Sequence, residues 1–108
     1  MRIIKFTALW CADCIVMRPV WQAVAEKFPQ VEIIDFDFDE HQDEAKNFGV
    51  DKVPTNIFFD SRDTEITRTE GMQNKADLIK LIEENLWKWI AGSLVVIAGL
   101  IRNPVVLA

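Results

Sequence analysis

The feature that limits this chain most is a cysteine pair, Cys11 and Cys14, set between a short apolar run and a long helical stripe. Ile3-Ile4-Lys5-Phe6-Thr7-Ala8-Leu9 is rich in strand formers and ends directly at Trp10-Cys11, which predicts a largely buried strand leading into the cysteines. Beyond them Met17, Val20, Trp21, Val24, Ala25 and Phe28 recur at i, i+3, i+4, i+7, i+8 and i+11, an amphipathic helix that Pro29 closes. The pair therefore sits at a helix N-terminus. Pro19 falls inside this helix, where it removes one backbone bond and should bend the axis.

Cysteines at i and i+3 of a helix share a face and stand close enough to close a disulfide. Free backbone N–H groups and the positive end of the dipole favour a thiolate at the first position, which makes Cys11 the attacking sulfur. Cys14, a turn deeper, is placed to resolve the mixed disulfide. A zinc site is the competing use of such a pair, but zinc takes four ligands and the chain offers one His, His41, distant in sequence. An inert pair of thiols is the plain alternative. Two cysteines in all cannot build the multi-bridge framework of a small secreted scaffold.

With 108 residues, 50% of them hydrophobic and 27% charged, the chain has room for one compact core. A formal net charge of -5 with no Lys/Arg cluster argues against a nucleic-acid footprint. Met1-Arg2-Ile3-Ile4-Lys5 leaves no apolar stretch for a secretory signal, so a reducing, cytoplasmic setting is expected.

Further along, Ile34, Phe36 and Phe38 alternate with Asp35, Asp37 and Asp39, the pattern of a half-exposed strand. Those acids do not make a helix-loop-helix calcium loop, because counting from Asp35 puts Glu40 where glycine is needed and Lys46 where glutamate is needed. Asp39 with Gln42 resembles a capping box for a short helix that Gly49 stops, and His41, opening that helix, reads as a solvated surface residue. Thr55 to Phe59 and Glu65 to Thr69 read as a hairpin around Asp60-Ser61-Arg62-Asp63. Asn74 should cap a last helix with Leu78, Leu81, Ile82 and Leu86 on its inner face. The order is strand, helix, strand, helix, strand, strand, helix.

With these elements in place the sequence resembles the thioredoxin family over roughly residues 2 to 87. Phe6, Ala8, Trp10-Cys11-Ala12-Asp13-Cys14, Pro19, Asp39, Val53-Pro54-Thr55 and Gly71 all fall where thioredoxins have counterparts. The resemblance implies an α/β fold, a thioredoxin-like four-stranded mixed sheet with flanking helices. It implies a thiol–disulfide oxidoreductase, here one that reduces protein disulfides, with Cys11 and Cys14 catalytic and no cofactor or metal. A cis Pro54 opposite the cysteines would help bind an extended substrate along a surface made by Trp10, Val53, Pro54, Thr55 and Gly71. Its partners would be disulfide-containing proteins and a reductase that regenerates the dithiol. A redox sensor or peptide-binding module without turnover is the alternative on the same fold.

Three departures are expected to matter. The family's usual extra first strand and helix are not seen before the cysteine strand, so the strand near residues 31 to 38 becomes an edge that Asp35 and Asp37 protect. The Gly-Pro usual between the cysteines is Ala12-Asp13, and the Asp13 carboxylate opposes the Cys11 thiolate, which favours a reducing couple. The buried acid that the family uses in proton transfer aligns with Lys5, whose charge would favour a thiolate or whose stem would snorkel outward.

After Asn85 the character changes, which divides the chain into a thioredoxin-like domain over 1–87 and an apolar C-terminal helical tail over 88–108. From Trp89 to Ile101 the 13 residues carry no charge. That run gives about 20 Å of helix against a bilayer core of about 30 Å, but Lys88 and Arg102 can snorkel and Trp87 and Trp89 suit an interface. Asn103-Pro104 should end the helix. Three readings follow: attachment to a membrane, packing on the domain or on a second copy, and a reading-frame scar.

Overall fold

A computed structural model describes residues 1–93, with side chains described as far as Leu86. Its elements are β1 (Arg2–Thr7), α1 (Ala12–Lys27), β2 (Glu32–Asp37), α2 (Gln42–Asn47), β3 (Thr55–Phe59), β4 (Glu65–Glu70) and α3 (Lys75–Ser93). The four strands lie in the order β2-β1-β3-β4. β1 and β2 run parallel, with α1 as the crossover such a pairing requires, whereas β1–β3 and β3–β4 are antiparallel.

Alternation along each strand separates two cores. On one face Ile3 and Phe58 meet Met17, Trp21 and Val24 of α1, Phe28 just after it, and Leu78 and Ile82 of α3. On the other, Ile4, Phe6, Ile57 and Phe59 meet Ala45 of α2 and Val50 after it, with Phe36 and Phe48 packed alongside. β3 is buried at every position, as the strand with neighbours on both edges and cores on both faces must be. β2 is an edge strand and only partly buried, as its acid alternation predicts.

Several ends differ from the sequence reading. β1 stops at Thr7 because Ala8-Leu9-Trp10 turns the chain, with the Cys11 N–H donating to the Ala8 carbonyl at 3.2 Å. Ala25 lies on the exposed side of α1 although it fits the stripe, while Met17, Trp21, Val24 and Phe28 are buried. The Asp39 capping box does not form. His41 is the N-cap of α2 and makes no side-chain cap, and it is half-buried with its ring 4.8 Å from that of Phe36 rather than solvated.

Other local signals act as read. Gly49 follows α2 at φ 70°, the left-handed stop that glycine adopts without strain. Asn74 caps α3, its Oδ1 accepting the Asp77 N–H at 2.8 Å. The hairpin loop is held by the Asp60 carboxylate, which accepts the N–H groups of Arg62 and Thr64 at 2.8 and 3.0 Å. α3 continues through residue 87 as one helix to Ser93. Among the described residues no helix is long and apolar enough to cross a membrane. The reading of the tail concerns residues that lie, from 94 onward, outside the described ones.

Candidate active site

The cysteine pair stands where β1 hands over to α1. Cys11 is the N-cap of α1 in an extended conformation, and its Sγ accepts the Cys14 backbone N–H at 3.2 Å. That contact gives one of the free donors of the helix terminus to a sulfur, where a side-chain oxygen usually serves. Both cysteines are free and buried, in a small cluster with Ala8 against which Phe38 and Val53 pack. Burial pushes the Cys14 thiol up to about 11, the hydrogen bond with Cys11 and the charge of Asp35 add to it, and a backbone hydrogen bond with Ala8 opposes it. Cys14 therefore holds its proton at neutral pH. Ala12 and Asp13, between the two, are exposed on the first turn.

Val53, Pro54 and Thr55 reach the same place from the chain entering β3. The Val53–Pro54 peptide is cis, Pro54 is buried, and the Thr55 hydroxyl donates to the Lys52 carbonyl at 2.7 Å. The Pro54 carbonyl accepts the N–H of Gly71 at 2.8 Å, which ties the end of β4 to this strand entry. Gly71 takes φ 81°, a conformation that side-chain-bearing residues rarely adopt. Trp10 is 65% exposed beside the cysteines, and its indole N–H donates to Asp39 Oδ2 at 2.7 Å. Asp39 stands two residues before the N-cap of α2, and its carboxylate serves this indole instead. Leu9, Ile15, Val16 and Met72 are the other large apolar side chains exposed among the described residues, and all four lie within two residues of Trp10, Cys14 or Gly71 in the chain.

Lys5 does not snorkel outward. It is 8% exposed, with Nζ 3.5 Å from Asp35 Oδ2 and 4.9 Å from the centre of the Trp21 ring. A cavity of about 290 Å³ opens among Cys14, Lys5, Asp35, Trp21 and Pro54. No group of three or more His, Cys, Asp or Glu among the described residues is arranged to hold a metal.

A free dithiol at a helix N-terminus, beside a buried proline, is arranged for exchange with a disulfide. The family model described as thioredoxin matches residues 1–84. The chain belongs to the thioredoxin family. A thioredoxin of Chlamydia muridarum is 36% identical over 83 residues, covering 77% of this chain and 80% of the relative. Thioredoxin H2 of Arabidopsis thaliana is 35% identical over 82 residues, 76% of this chain and 60% of that protein. Among solved structures, a mutant thioredoxin of Halobacterium salinarum superposes with a TM-score of 0.72 at 31% identity, covering 77% of this chain and 72% of that one. A thioredoxin of Nicotiana alata gives 0.72 at 34% identity, over 77% and 70%. Family and fold together make the chain a thiol–disulfide oxidoreductase that acts on protein disulfides. Membership brings disulfide-bearing substrates and a reductase for the dithiol with it.

Reasoning from sequence did not place Asp35, Asn56 or the Asp39–Trp10 bond in the site. The only signal for Asp35 was its position in an alternating strand, which also describes an ordinary solvated face.

Proposed function

We propose that this thioredoxin-family protein works as a reductase, with Cys11 attacking a substrate disulfide and Cys14 resolving it. The asymmetry between the two sulfurs supports the assignment: Cys11 Sγ accepts a helix-terminal N–H, while the Cys14 thiol is held protonated by burial. In the first step the Cys11 thiolate forms a bond to one substrate sulfur and the other leaves as a thiolate. In the second, Cys14 attacks Cys11, the mixed disulfide breaks, and the substrate has gained two electrons while the pair is oxidised.

Trp10, Val53 and Gly71 form the surface along which an extended substrate lies, with Pro54 and Thr55 buried beneath it and the exposed Leu9, Ile15, Val16 and Met72 around it. Pairing of the Val53 backbone with an extended peptide gives affinity with little demand on its sequence. Asp13, exposed between the two cysteines, sets a carboxylate beside the dithiol and keeps the couple reducing. The acidic body works in the cytoplasm, and residues 88–108 attach it to a membrane or to a second copy. α3 starts just after Gly71, beside the dithiol, and its 19 residues extend about 28 Å from there. Attachment through the far end of α3 leaves the cysteines accessible.

Reduction of a model protein disulfide by the wild type, Cys11→Ser and Cys14→Ser tests the reading. Both variants should fall to background, and only Cys14→Ser should accumulate a mixed disulfide. Equal, near-background rates for all three proteins would sink it.

A further inference from the structure

The two edge strands of the sheet, β2 and β4, are finished differently. β4 shifts register against β3 at Phe58/Phe59, and Arg68 answers its Glu65 while Lys52 answers its Glu70. Irregularity and paired charge of this kind discourage a further strand. β2 keeps one register with β1 along its whole length. The Glu32 N–H donates to the Met1 carbonyl at 3.1 Å and the Phe38 N–H to the Thr7 carbonyl at 2.7 Å. Successive residues of a strand turn their backbone groups to opposite sides, so Glu32, Ile34, Phe36 and Phe38 face β1, and Ile33, Asp35 and Asp37 face the open edge. The His41 N–H takes the Asp37 carbonyl at 2.9 Å. The N–H groups of all three edge-facing residues and the carbonyls of Ile33 and Asp35 are left for another strand, and no described residue bonds to them.

The apolar side chains of β2 are incompletely covered on both faces. Ile33 on the α1 side and Ile34 and Phe36 on the α2 side are half-buried, whereas Ile3, Ile4 and Phe6 of the neighbouring β1 are buried. A strand laid alongside would close both cores by cross-strand contact. Charge decides which strand fits. Residues 32–44 hold seven acidic side chains and no Lys or Arg. Arg2 answers Glu32 and Lys5 answers Asp35, and among the described residues no ion pair reaches the other five. A second copy is a poor occupant, because antiparallel pairing of two β2 strands about Asp35 sets that carboxylate opposite its own copy, and opposed like charges are destabilising.

We propose that the free edge of β2 is a strand-addition site for a basic, extended segment of a partner protein. Backbone pairing with Ile33, Asp35 and Asp37 supplies the affinity. The segment's Lys or Arg side chains lie on the α1 face beside Asp35 and Asp37, and its apolar side chains lie on the α2 face beside Ile34 and Phe36. The acids thus select the partner, since the charge that bars a second copy admits a cationic strand. The site runs toward the dithiol. Asp39, two residues past β2, accepts the Trp10 indole N–H at 2.7 Å, so a bound segment ends near the rim of the cysteine pair. The site stands on the sheet edge alone and does not rest on the reductase reading.

The probe is a cysteine-free peptide alternating Lys with Val over about seven residues, a strand's length, titrated onto the full chain and followed by fluorescence anisotropy and amide hydrogen exchange. In the free protein the Ile33, Asp35 and Asp37 amides should exchange fast and those of Ile34 and Phe36 slowly. Bound peptide should slow the first three by about tenfold or more. Methylating the peptide nitrogens that face β2 keeps its charge but removes its donors, and should weaken binding by about tenfold or more. Asn at both Asp35 and Asp37 keeps the oxygens that accept from Thr7 and from the turn, and should weaken binding about fivefold through charge alone. Equal affinity for the methylated peptide, or for one with Glu in place of Lys, would overturn the proposal. So would slow exchange of the three amides in the free protein, which would mean an edge already occupied, by a second copy if it grows with concentration and by the chain itself if it does not.

Discussion

Ile33, Ile3 and Phe58 cross one face of the sheet side by side, and two residues along the same strands stand Asp35, Lys5 and Asn56. The first row is covered by α1 and α3 and packs against Val24, Phe28, Leu78 and Ile82 with no polar atom among these side chains. The second lies beneath the start of α1 and holds a buried ammonium, a carboxylate and an amide whose oxygen has no partner. Same strands, same face and same pairing give opposite chemistry. The difference shows where this fold concentrates its stability and where, at the dithiol end, it gives some up.

The comparison breaks most directly at Phe58, a fully buried aromatic in the apolar row. Phe58→Ala should cost about 3–5 kcal/mol, from lost burial and from a cavity that the central strand is poorly placed to collapse into. Chemical denaturation of the oxidised protein measures it. A loss near that of an exposed site would mean that the apolar row is not where the fold is held together.

Next in size is a pH effect at the polar end. Cys14 binds its proton more tightly in the folded chain, where burial moves it from the ordinary value of 9.0 to about 11. Stability contributed by that thiol is therefore fully present below pH 9 and declines as pH rises through about 11, because the unfolded chain releases the proton first. The decline should approach about 2 kcal/mol after allowance for solvent in the cavity. Comparing Cys11→Ser with Cys11→Ser/Cys14→Ser isolates it, since only the former retains a thiol. Parallel stability curves from pH 8 to 11 would show that Cys14 is not buried as a thiol.

The two rows also differ in how far sequence reveals them. Ile3, Met17, Trp21, Val24, Phe28, Leu78 and Ile82 are marked by strand composition and helical period, and Cys11-Cys14 by their place between such segments. Asn74 and Gly49 announce helix ends because a cap acts within four residues. Polar partners far apart in the chain announce nothing. Lys5 meets Asp35 across 30 residues and Trp10 meets Asp39 across 29, and each pairing depends on β2 lying parallel to β1 in one register. Local alternation fixes which side of β2 an Asp occupies, but not what waits there. Asp39 shows the consequence, since its spacing from Gln42 suggested a helix cap and a distant indole claims it instead.

The smallest effect comes from Asn56. Its Nδ2 reaches Thr69, but its Oδ1 is buried without a partner, so in the resting protein the side chain loses hydration at one atom and recovers a bond at the other. Leucine fills a similar volume without either requirement, and Thr69 is only half-buried and can turn to water. Asn56→Leu should therefore raise stability by about 1 kcal/mol, the scale of removing one buried unsatisfied group. Thermal unfolding of the reduced protein reads this directly. A lowered midpoint would mean that Asn56 Oδ1 is already bonded in solution, by the Lys5 ammonium or by cavity water. The four polar residues would then act as one connected network across the sheet, from Asp35 through Lys5 and Asn56 to Thr69.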